Sequence, residues 1–210
     1  KANERAIELL NINNTRKDMT EQGTKTAIGL LETSDHLLMG AVPETGVAAL
    51  SDRVLVMYIP KLHESLVGII AGRIKERYYR PVLLFTDSEE EGIIKGSGRS
   101  IEGYNMYDEI NKCSDYFTKF GGHEMAAGFS MEKRNLARLR EKMNANCTLD
   151  EKLLTPKLRI DVPMPLDYVS IPLTEELEVL EPFGKGNEKP VFAQSGVRVK
   201  SARIMGKRQN

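Results

Sequence analysis

The sequence predicts an α/β fold for residues 36–148. Two observations predict it: short β-branched and apolar runs, and intervening segments in which apolar residues recur at helical spacing. Strands that alternate with helices in this way pack in layers around a common core. The chain has 210 residues, of which 40% are hydrophobic and 29% charged, so it has enough apolar surface to bury such a core.

Residues 1–35 predict a connecting helix. Ala6, Ile7 and Leu10 form an apolar stripe, and residues 27–31 predict a second helical stretch. Neither segment has enough apolar surface to fold alone, so we expect part of their packing surface to lie in a region outside this chain. Because the chain begins with Lys rather than Met, we expect it to be a fragment of a longer protein.

The elements of the α/β domain follow from the spacing of its apolar residues. An acidic turn at residues 87–92 predicts a hairpin between two of the strands. The predicted elements are, in order, a strand at 53–59, a helix at 66–77, strands at 81–86 and 93–98, a short helix at 105–111, a glycine-rich turn at 121–122 and a helix at 136–143.

Residues 149–210 predict a second, smaller domain, which begins with a linker at 149–156. Its predicted elements are a strand at 158–162, an amphipathic helix at 173–180, a glycine-rich turn at 183–187 and a strand at 197–204. This stretch is too short for a complete β-barrel.

Several classes of protein are excluded. The longest apolar stretches are far below the ~18 residues that a membrane helix needs, and residues 1–17 lack the apolar core of a signal peptide. Cys113 and Cys147 are too few for a disulfide scaffold and lack the spacing of a zinc site. We therefore expect a cytoplasmic protein with two reduced thiols and no membrane partner.

The charges balance overall but are unevenly distributed. The chain has 30 basic and 30 acidic residues, yet residues 191–210 contain five basic residues and no acidic one. A basic tail on an acidic body suggests contact with a polyanion, and a solvated terminus is the alternative interpretation.

The first candidate binding segment is residues 95–100, KGSGRS. Gly96 and Gly98 would let the backbone approach a ligand, so that N–H groups and the Ser97 hydroxyl point at one phosphate. Arg99 would add a charge-assisted pair to the same group. A flexible turn without a ligand remains the alternative, and the spacing is not that of a P-loop.

The second candidate is residues 120–128, in which Gly121 and Gly122 predict a turn into a tightly packed helix. The N-terminus of that helix would bind an anion, and His123 would donate to a phosphate oxygen or assist proton transfer. A structural role for this histidine remains the alternative. We expect no metal site, because neither His123 nor His63 begins an HExxH motif.

The third candidate is the segment from His63 to Arg73. Its apolar residues are explained by the buried face of a helix, but His63 closely follows a strand end, where α/β folds place ligand contacts. His63 and residues 96–99 would then face the same cleft.

These three segments, in this order and spacing, resemble the RecJ family of bacterial single-stranded-DNA-specific exonucleases in the DHH phosphoesterase superfamily. A fourth matching segment is residues 181–192, EPFGKGNEKPVF, and the resemblance covers most of residues 53–205. It implies a DHH-associated domain, a mixed sheet with flanking helices, at residues 36–148. The connecting helix at 1–35 would precede this domain, and a partial β-barrel of the oligonucleotide-binding (OB) fold at 149–210 would follow it.

The resemblance implies that residues 95–100 bind substrate. Ser97 and Arg99 would hold backbone phosphates near the scissile bond. Gly96 and Gly98 would permit the close approach.

The resemblance gives the other candidate residues roles at the same phosphates. His123, after Gly121 and Gly122, would contact the scissile phosphate and stabilise the charge that develops there. Arg73 would be a further phosphate contact, and His63 a supporting residue of the cleft.

The function implied by the resemblance is that of the substrate-binding portion of a metal-dependent 5′→3′ single-stranded-DNA exonuclease in DNA repair and recombination. Mn²⁺ or Mg²⁺ would be held by an N-terminal domain absent from this chain, so we expect the chain alone to bind no metal and to be inactive. Single-stranded DNA is the expected partner, held along the OB segment and its basic tail. A helicase or a single-strand-binding protein is a further candidate partner.

Two alternatives stay open. The first is an oligoribonuclease or a cyclic-dinucleotide phosphodiesterase of the same superfamily, although such enzymes generally end after the associated domain. The second is a non-catalytic nucleic-acid-binding module.

Overall fold

The computed structural model describes residues 2–37, 50–184 and 186–203. The chain divides into two compact units, Lys1–Pro156 and Lys157–Asn210. Residues 38–49, which belong to the predicted α/β domain, and the basic residues Lys207 and Arg208 lie outside the described residues. Within the described residues, no helix is both long enough and apolar enough to cross a membrane.

The first unit begins with one continuous helix, α1, at Ala2–Leu37. The two separate helical stretches predicted from the sequence are therefore parts of one element. Threonines lie between them within the unbroken helix and bond back to the carbonyl four residues earlier, as Thr20 Oγ1 does to Arg16 O (2.7 Å). Ala27 and Leu31 are fully buried, whereas the predicted apolar stripe at Ile7 is 59% exposed.

A five-stranded mixed sheet forms the centre of the first unit, so the predicted α/β class is confirmed. Its order is β1-β2-β3-β5-β4, in which β1 and β2 are parallel and the remaining pairs are antiparallel. The strands are β1 Leu55–Tyr58, β2 Val82–Asp87, β3 Ile93–Arg99, β4 Phe117–His123 and β5 Ala126–Glu132. The helices are α2 Glu64–Tyr78, α3 Met106–Asn111 and α4 Leu136–Asn146.

The two faces of the sheet are covered differently. One face carries a core that includes Phe85, Phe129 and buried residues of α3 and α4. On the other face, α2 and part of α1 cover β1 and β2 with a second apolar cluster. The same face is exposed at Gly121 and Gly128 on the neighbouring strands β4 and β5. An open strip of sheet therefore lies beside α2.

The helix predicted after Gly122 is wrong, because residues 117–132 form the β4–β5 hairpin. Alternate residues of β5 (Ala127, Phe129 and Met131) are buried in the core. This spacing of two is the period of a strand with one buried face, and it overrides the small residues that suggested a packed helix.

The predicted linker at residues 149–156 packs against the first unit. Leu149 and Leu154 are buried in its core, and Arg80 Nη1 donates to Leu154 O (3.1 Å). Cys113 and Cys147 are free and buried in the same core, and burial raises the pKa of both thiols.

The second unit has little regular structure. Strands β6 Val162–Pro163 and β7 Phe192–Ala193 are parallel, and α5 spans Ile171–Glu178. Of the strand predicted at 158–162, only Val162 lies in a strand, β6. The strand predicted at 197–204 is not formed over the described residues 197–203.

Candidate nucleic-acid interface

Helix α2 begins at a cap made by His63. The His63 Nδ1 accepts the backbone N–H of Ser65 (3.3 Å) and lies 2.8 Å from the Ser65 hydroxyl oxygen. This bond satisfies one of the N–H groups that the first turn of a helix leaves unpaired. His63 thus fixes where α2 starts, directly after the loop that follows β1.

A glycine of α2 lies directly against the polar side chains of β3. A Cβ at Gly68 would overlap the Arg99 guanidinium and lie 3.2 Å from Ser97 Oγ. The absence of a side chain at position 68 therefore leaves room for Arg99 beneath the helix.

Ser97 and Arg99 lie within strand β3 and not in a turn. Because side chains alternate along a strand, Lys95, Ser97 and Arg99 share one face, the face beside α2. Arg99 Nη1 donates to Ser97 Oγ and to Gly98 O, each at 2.7 Å. Among the described residues, Arg99 forms no ion pair with a carboxylate. Its guanidinium therefore keeps donors for an anion.

Gly96 and Gly98 face the opposite, core side of the sheet. A Cβ at Gly96 would overlap the Leu84 carbonyl oxygen, and one at Gly98 would lie 3.1 Å from Met106 Sδ. Packing against the core therefore accounts for both glycines, and their contact with a ligand stays a prediction.

Cross-strand pairing aligns the candidate residues in rows on the sheet face beside α2, which we call the open face. Arg99 pairs with Ala126, which pairs with His123 on β4. Two strand spacings separate Arg99 from His123, about 10 Å between α-carbons. The sheet thus brings these two predicted phosphate-contacting residues, far apart in sequence, to one end of one surface.

The next two rows of the same surface run parallel to the first. The second row is Ser97, Gly128 and Gly121, and the third is Lys95, Ser130 and Lys119. Each row lies two residues, about 7 Å, further along the strands.

His123 is the last residue of β4 and is exposed. It lies in a hairpin and not at the helix N-terminus predicted from the sequence. Its Nδ1 accepts the backbone N–H of Met125 (3.3 Å), which assigns the proton of the neutral ring to Nε2. The Nε2–H group is then a donor to an anion on the open face.

The glycines of the second row differ from the other glycines of the sheet. A Cβ at Gly121 or Gly128 would meet no atom within 4 Å, whereas one at Gly122 would overlap Ala126 O across the hairpin. Packing within the described part of the chain explains Gly122 but neither Gly121 nor Gly128. Glycine inside a strand often marks a place where a ligand approaches the backbone.

A cleft of about 350 Å³ opens between α2 and this surface. Most of its residues belong to the three candidate segments singled out in the sequence, Gly96 and Ser97 among them. The cleft is lined by Glu64, Val67 and Gly68 of α2, by Lys95, Gly96 and Ser97 of β3, and by Gly128, Phe129 and Ser130 of β5. Phe129 and Ser130 lie outside those segments, and the cross-strand register brings them to the cleft. The signal for Ser130 in the sequence was its spacing of two from Gly128.

An ion pair lies at one end of the cleft, where Lys95 Nζ contacts Glu64 Oε2. The Glu64 side chain is 67% exposed and that of Lys95 25% exposed. Because Glu64 neutralises Lys95, this end of the cleft is less favourable for an anion than the surface at Arg99.

His63 and Arg73 do not join the row of Arg99 and His123. The backbone N–H and carbonyl of Leu62, the residue before His63, form hydrogen bonds with the hydroxyl of Thr86. Thr86 pairs with Lys95, which lies four residues, about 13 Å, from Arg99 along β3. His63 therefore lies at the other end of the face. Arg73 is exposed and lies five residues beyond Gly68, about 140° around α2. The predicted roles of His63 and Arg73 stay predictions.

Within residues 2–37, 50–184 and 186–203, no group of three or more His, Cys, Asp and Glu side chains fits a metal ion.

Comparison with known proteins gives two family matches. A model of the DHHA1 domain matches residues 51–148, and a model of the RecJ OB domain matches residues 160–210. The second match does not favour the predicted alternative of an oligoribonuclease or cyclic-dinucleotide phosphodiesterase.

Curated relatives carry the name single-stranded-DNA-specific exonuclease RecJ. The Bacillus subtilis protein is 30% identical over 98% of this chain and 25% of its own length. The Salmonella typhimurium protein is 34% identical over 97% of this chain and 34% of its own length. This chain therefore spans a quarter to a third of the length of these relatives.

Solved structures agree with this assignment. The crystal structure of RecJ in complex with Mn²⁺ from Thermus thermophilus is similar with a TM-score of 0.67 and 26% identity, over 95% of this chain and 27% of that chain. A second structure from the same organism, in complex with Mg²⁺, has a TM-score of 0.64. The chain thus belongs to the RecJ family and comprises its DHHA1 and OB domains.

Proposed function

We propose that this chain is the substrate-binding portion of a metal-dependent single-stranded-DNA exonuclease, which cleaves phosphodiester bonds in the 5′→3′ direction in DNA repair and recombination. The observation that carries the proposal is the row of Arg99, Ala126 and His123 on an open sheet face. This row supplies two anion-binding side chains on a rigid element.

The chemistry of the open face suits a sugar–phosphate backbone. Arg99 offers guanidinium donors, Ser97 a hydroxyl and His123 an Nε2–H group, and Lys119 adds a charge two rows away. The aromatic side chains of β4 and β5, Phe117, Phe120 and Phe129, pack with the core on the other side. Backbone contacts should therefore dominate over stacking of bases.

Catalysis requires more than these residues. In this proposal, His123 contacts the scissile phosphate through Nε2–H and stabilises the charge that develops on its oxygens. Mg²⁺ or Mn²⁺, the ions present in the two RecJ crystal structures, would be held by a part of the protein outside this chain. A cytoplasmic location and a helicase or single-strand-binding partner stay predictions.

The first test is binding of the chain to a labelled single strand of about 20 nucleotides at low salt, with matched duplex as competitor. We expect unlabelled single strand to displace the label and duplex to displace it poorly. Failure to bind, or equal competition by duplex, would contradict the proposal. The same assay with shorter strands tests the alternative, because an enzyme for dinucleotides would gain no affinity beyond a few nucleotides.

A second test addresses the location of the chemistry. We expect the chain alone to release no nucleotides from labelled single-stranded DNA in Mn²⁺ or Mg²⁺. Hydrolysis that chelation of the metal abolishes would contradict the placement of the metals outside this chain.

A further inference from the structure

The cleft beside Ser97 differs chemically from the phosphate-binding end of the same face. Its floor includes the backbone of Gly128, where a Cβ would meet nothing within 4 Å, and Val67 and Gly68 of α2 line its wall. Flat, uncharged surfaces of this kind accept a planar ring. The volume of about 350 Å³ lies in the range of small-ligand sites.

The far end of the cleft carries paired hydrogen-bonding groups. Glu64 presents carboxylate oxygens, Lys95 an ammonium group and Ser130 a hydroxyl that both donates and accepts. A second phosphate does not suit this end, because the carboxylate of Glu64 repels it and already neutralises Lys95. Acceptors and donors side by side match the polar edge of a nucleobase.

We propose that this cleft binds one nucleobase of the strand whose phosphate lies at Arg99, and that Glu64 contacts the edge of that base. The inference rests on the proposed function, since it requires single-stranded DNA on this face. The base lies on the backbone of Gly128, next to Gly68, and its edge reaches Glu64 and Ser130.

This arrangement gives the binding surface a preference among bases. A carboxylate accepts hydrogen bonds but donates none, so Glu64 favours a base with an exocyclic amine. Cytosine carries such an amine at N4, whereas thymine carries an oxygen at the equivalent position. Because Glu64 is largely exposed to water, the preference should be modest, about three- to tenfold in affinity.

The experiment compares the affinities of the chain for deoxycytidine and deoxythymidine 20-mers by fluorescence polarisation at one salt concentration. We expect the wild type to prefer deoxycytidine. In Glu64→Gln the two affinities become equal, because the amide can accept a hydrogen bond from cytosine and donate one to thymine. The affinity for deoxythymidine rises, since removal of a carboxylate beside the DNA also frees Lys95. The matched control is Glu89→Gln, which removes one negative charge from the exposed β2–β3 turn and should keep the preference.

The outcomes separate this inference from the proposed function. Equal affinity of the wild type for both strands, or a preference that survives in Glu64→Gln, overturns the base-binding cleft and leaves the DNA-binding surface intact. Failure of the wild type to bind either strand overturns the proposed function, and the inference with it.

Discussion

The backbone of Gly68 in α2 lies against the guanidinium of Arg99 in β3, so that a Cβ at position 68 would overlap Arg99 Nη2. This contact places α2 as a wall beside the row that Arg99 forms with His123. The position of Arg99 therefore depends on Gly68, a residue of helix α2, although Arg99 and His123 both belong to the sheet.

Gly68→Ala should weaken DNA binding without unfolding the protein. The overlapping atoms belong to the far end of a flexible side chain, so Arg99 moves aside at little cost, and alanine favours the helix by up to about 1 kcal/mol. We expect unchanged or higher stability and a roughly three- to tenfold loss of affinity for single-stranded DNA. Thermal unfolding and fluorescence polarisation measure the two effects.

Gly72→Ala is the matched control for that variant. It lies one turn further along α2, and a Cβ there would meet nothing within 4 Å. It should gain the same helical stability with no change in binding. A loss of affinity in Gly72→Ala equal to that in Gly68→Ala would contradict the role of the Gly68–Arg99 contact.

Two glycines on opposite faces of the sheet should respond differently to alanine. Gly96→Ala introduces a Cβ that overlaps the Leu84 carbonyl oxygen, which cannot move without the strand, and we expect a loss of about 1–3 kcal/mol of stability. Gly128→Ala points into open space, so stability should change by less than about 0.5 kcal/mol while DNA binding weakens. Denaturant unfolding checks both values, and a destabilised Gly128→Ala would show that packing explains this glycine.

Asp87 should make stability depend on pH. Hydrogen bonds from the Tyr58 hydroxyl and from the Lys61 backbone N–H hold the pKa of Asp87 below its ordinary value of 3.8. Because the pKa of Asp87 is lower in the folded state than in the unfolded state, ionised Asp87 stabilises the protein at pH values above its unfolded-state pKa. This contribution is lost as the pH falls through the folded-state pKa. The hydrogen bonds therefore stabilise the fold at neutral pH and not in strong acid.

Asp87→Asn tests this contribution. We expect the variant to be about 0.5 kcal/mol less stable than the wild type at pH 7, because the amide replaces one acceptor with a donor and exposure of Asp87 to solvent weakens the effect. The difference should shrink between about pH 5 and pH 2, as the wild-type carboxyl takes up its proton. Denaturant unfolding across this range measures it, and a difference that stays constant with pH would contradict the assignment.

The sequence predicts the parts of the fold whose apolar residues have a clear period. Strands β1 and β2 and helix α2 are continuous apolar segments with buried residues such as Leu55, Leu84 and Ile70, and each is predicted close to its observed position. Strand β4 is different, because most of Phe117–His123 is polar or glycine and exposed. It becomes a strand only by pairing with β5, a non-local interaction that local sequence does not encode.

The candidate site divides in the same way. Ser97, Arg99 and His123 are recognisable from residue type and from the glycines beside them. Glu64, inside the third candidate segment, and Lys119 are ordinary surface charges by residue type, and the α2–β3 contact and the β5–β4 register bring them to the site. Residue type thus predicts the chemistry of the site, whereas the pairing of strands in the sheet determines which further residues belong to it.

The salt dependence of binding tests whether the face bearing Arg99 binds the backbone of single-stranded DNA. We expect Arg99→Ala to lower the affinity for all sequences alike and to flatten the plot of log K against log salt by about 0.7 per lost phosphate contact. Arg138→Ala, an exposed arginine on α4 across the sheet, is the charge-matched control and should leave the slope unchanged. An unchanged slope in Arg99→Ala, or an equal change in Arg138→Ala, would contradict the claim.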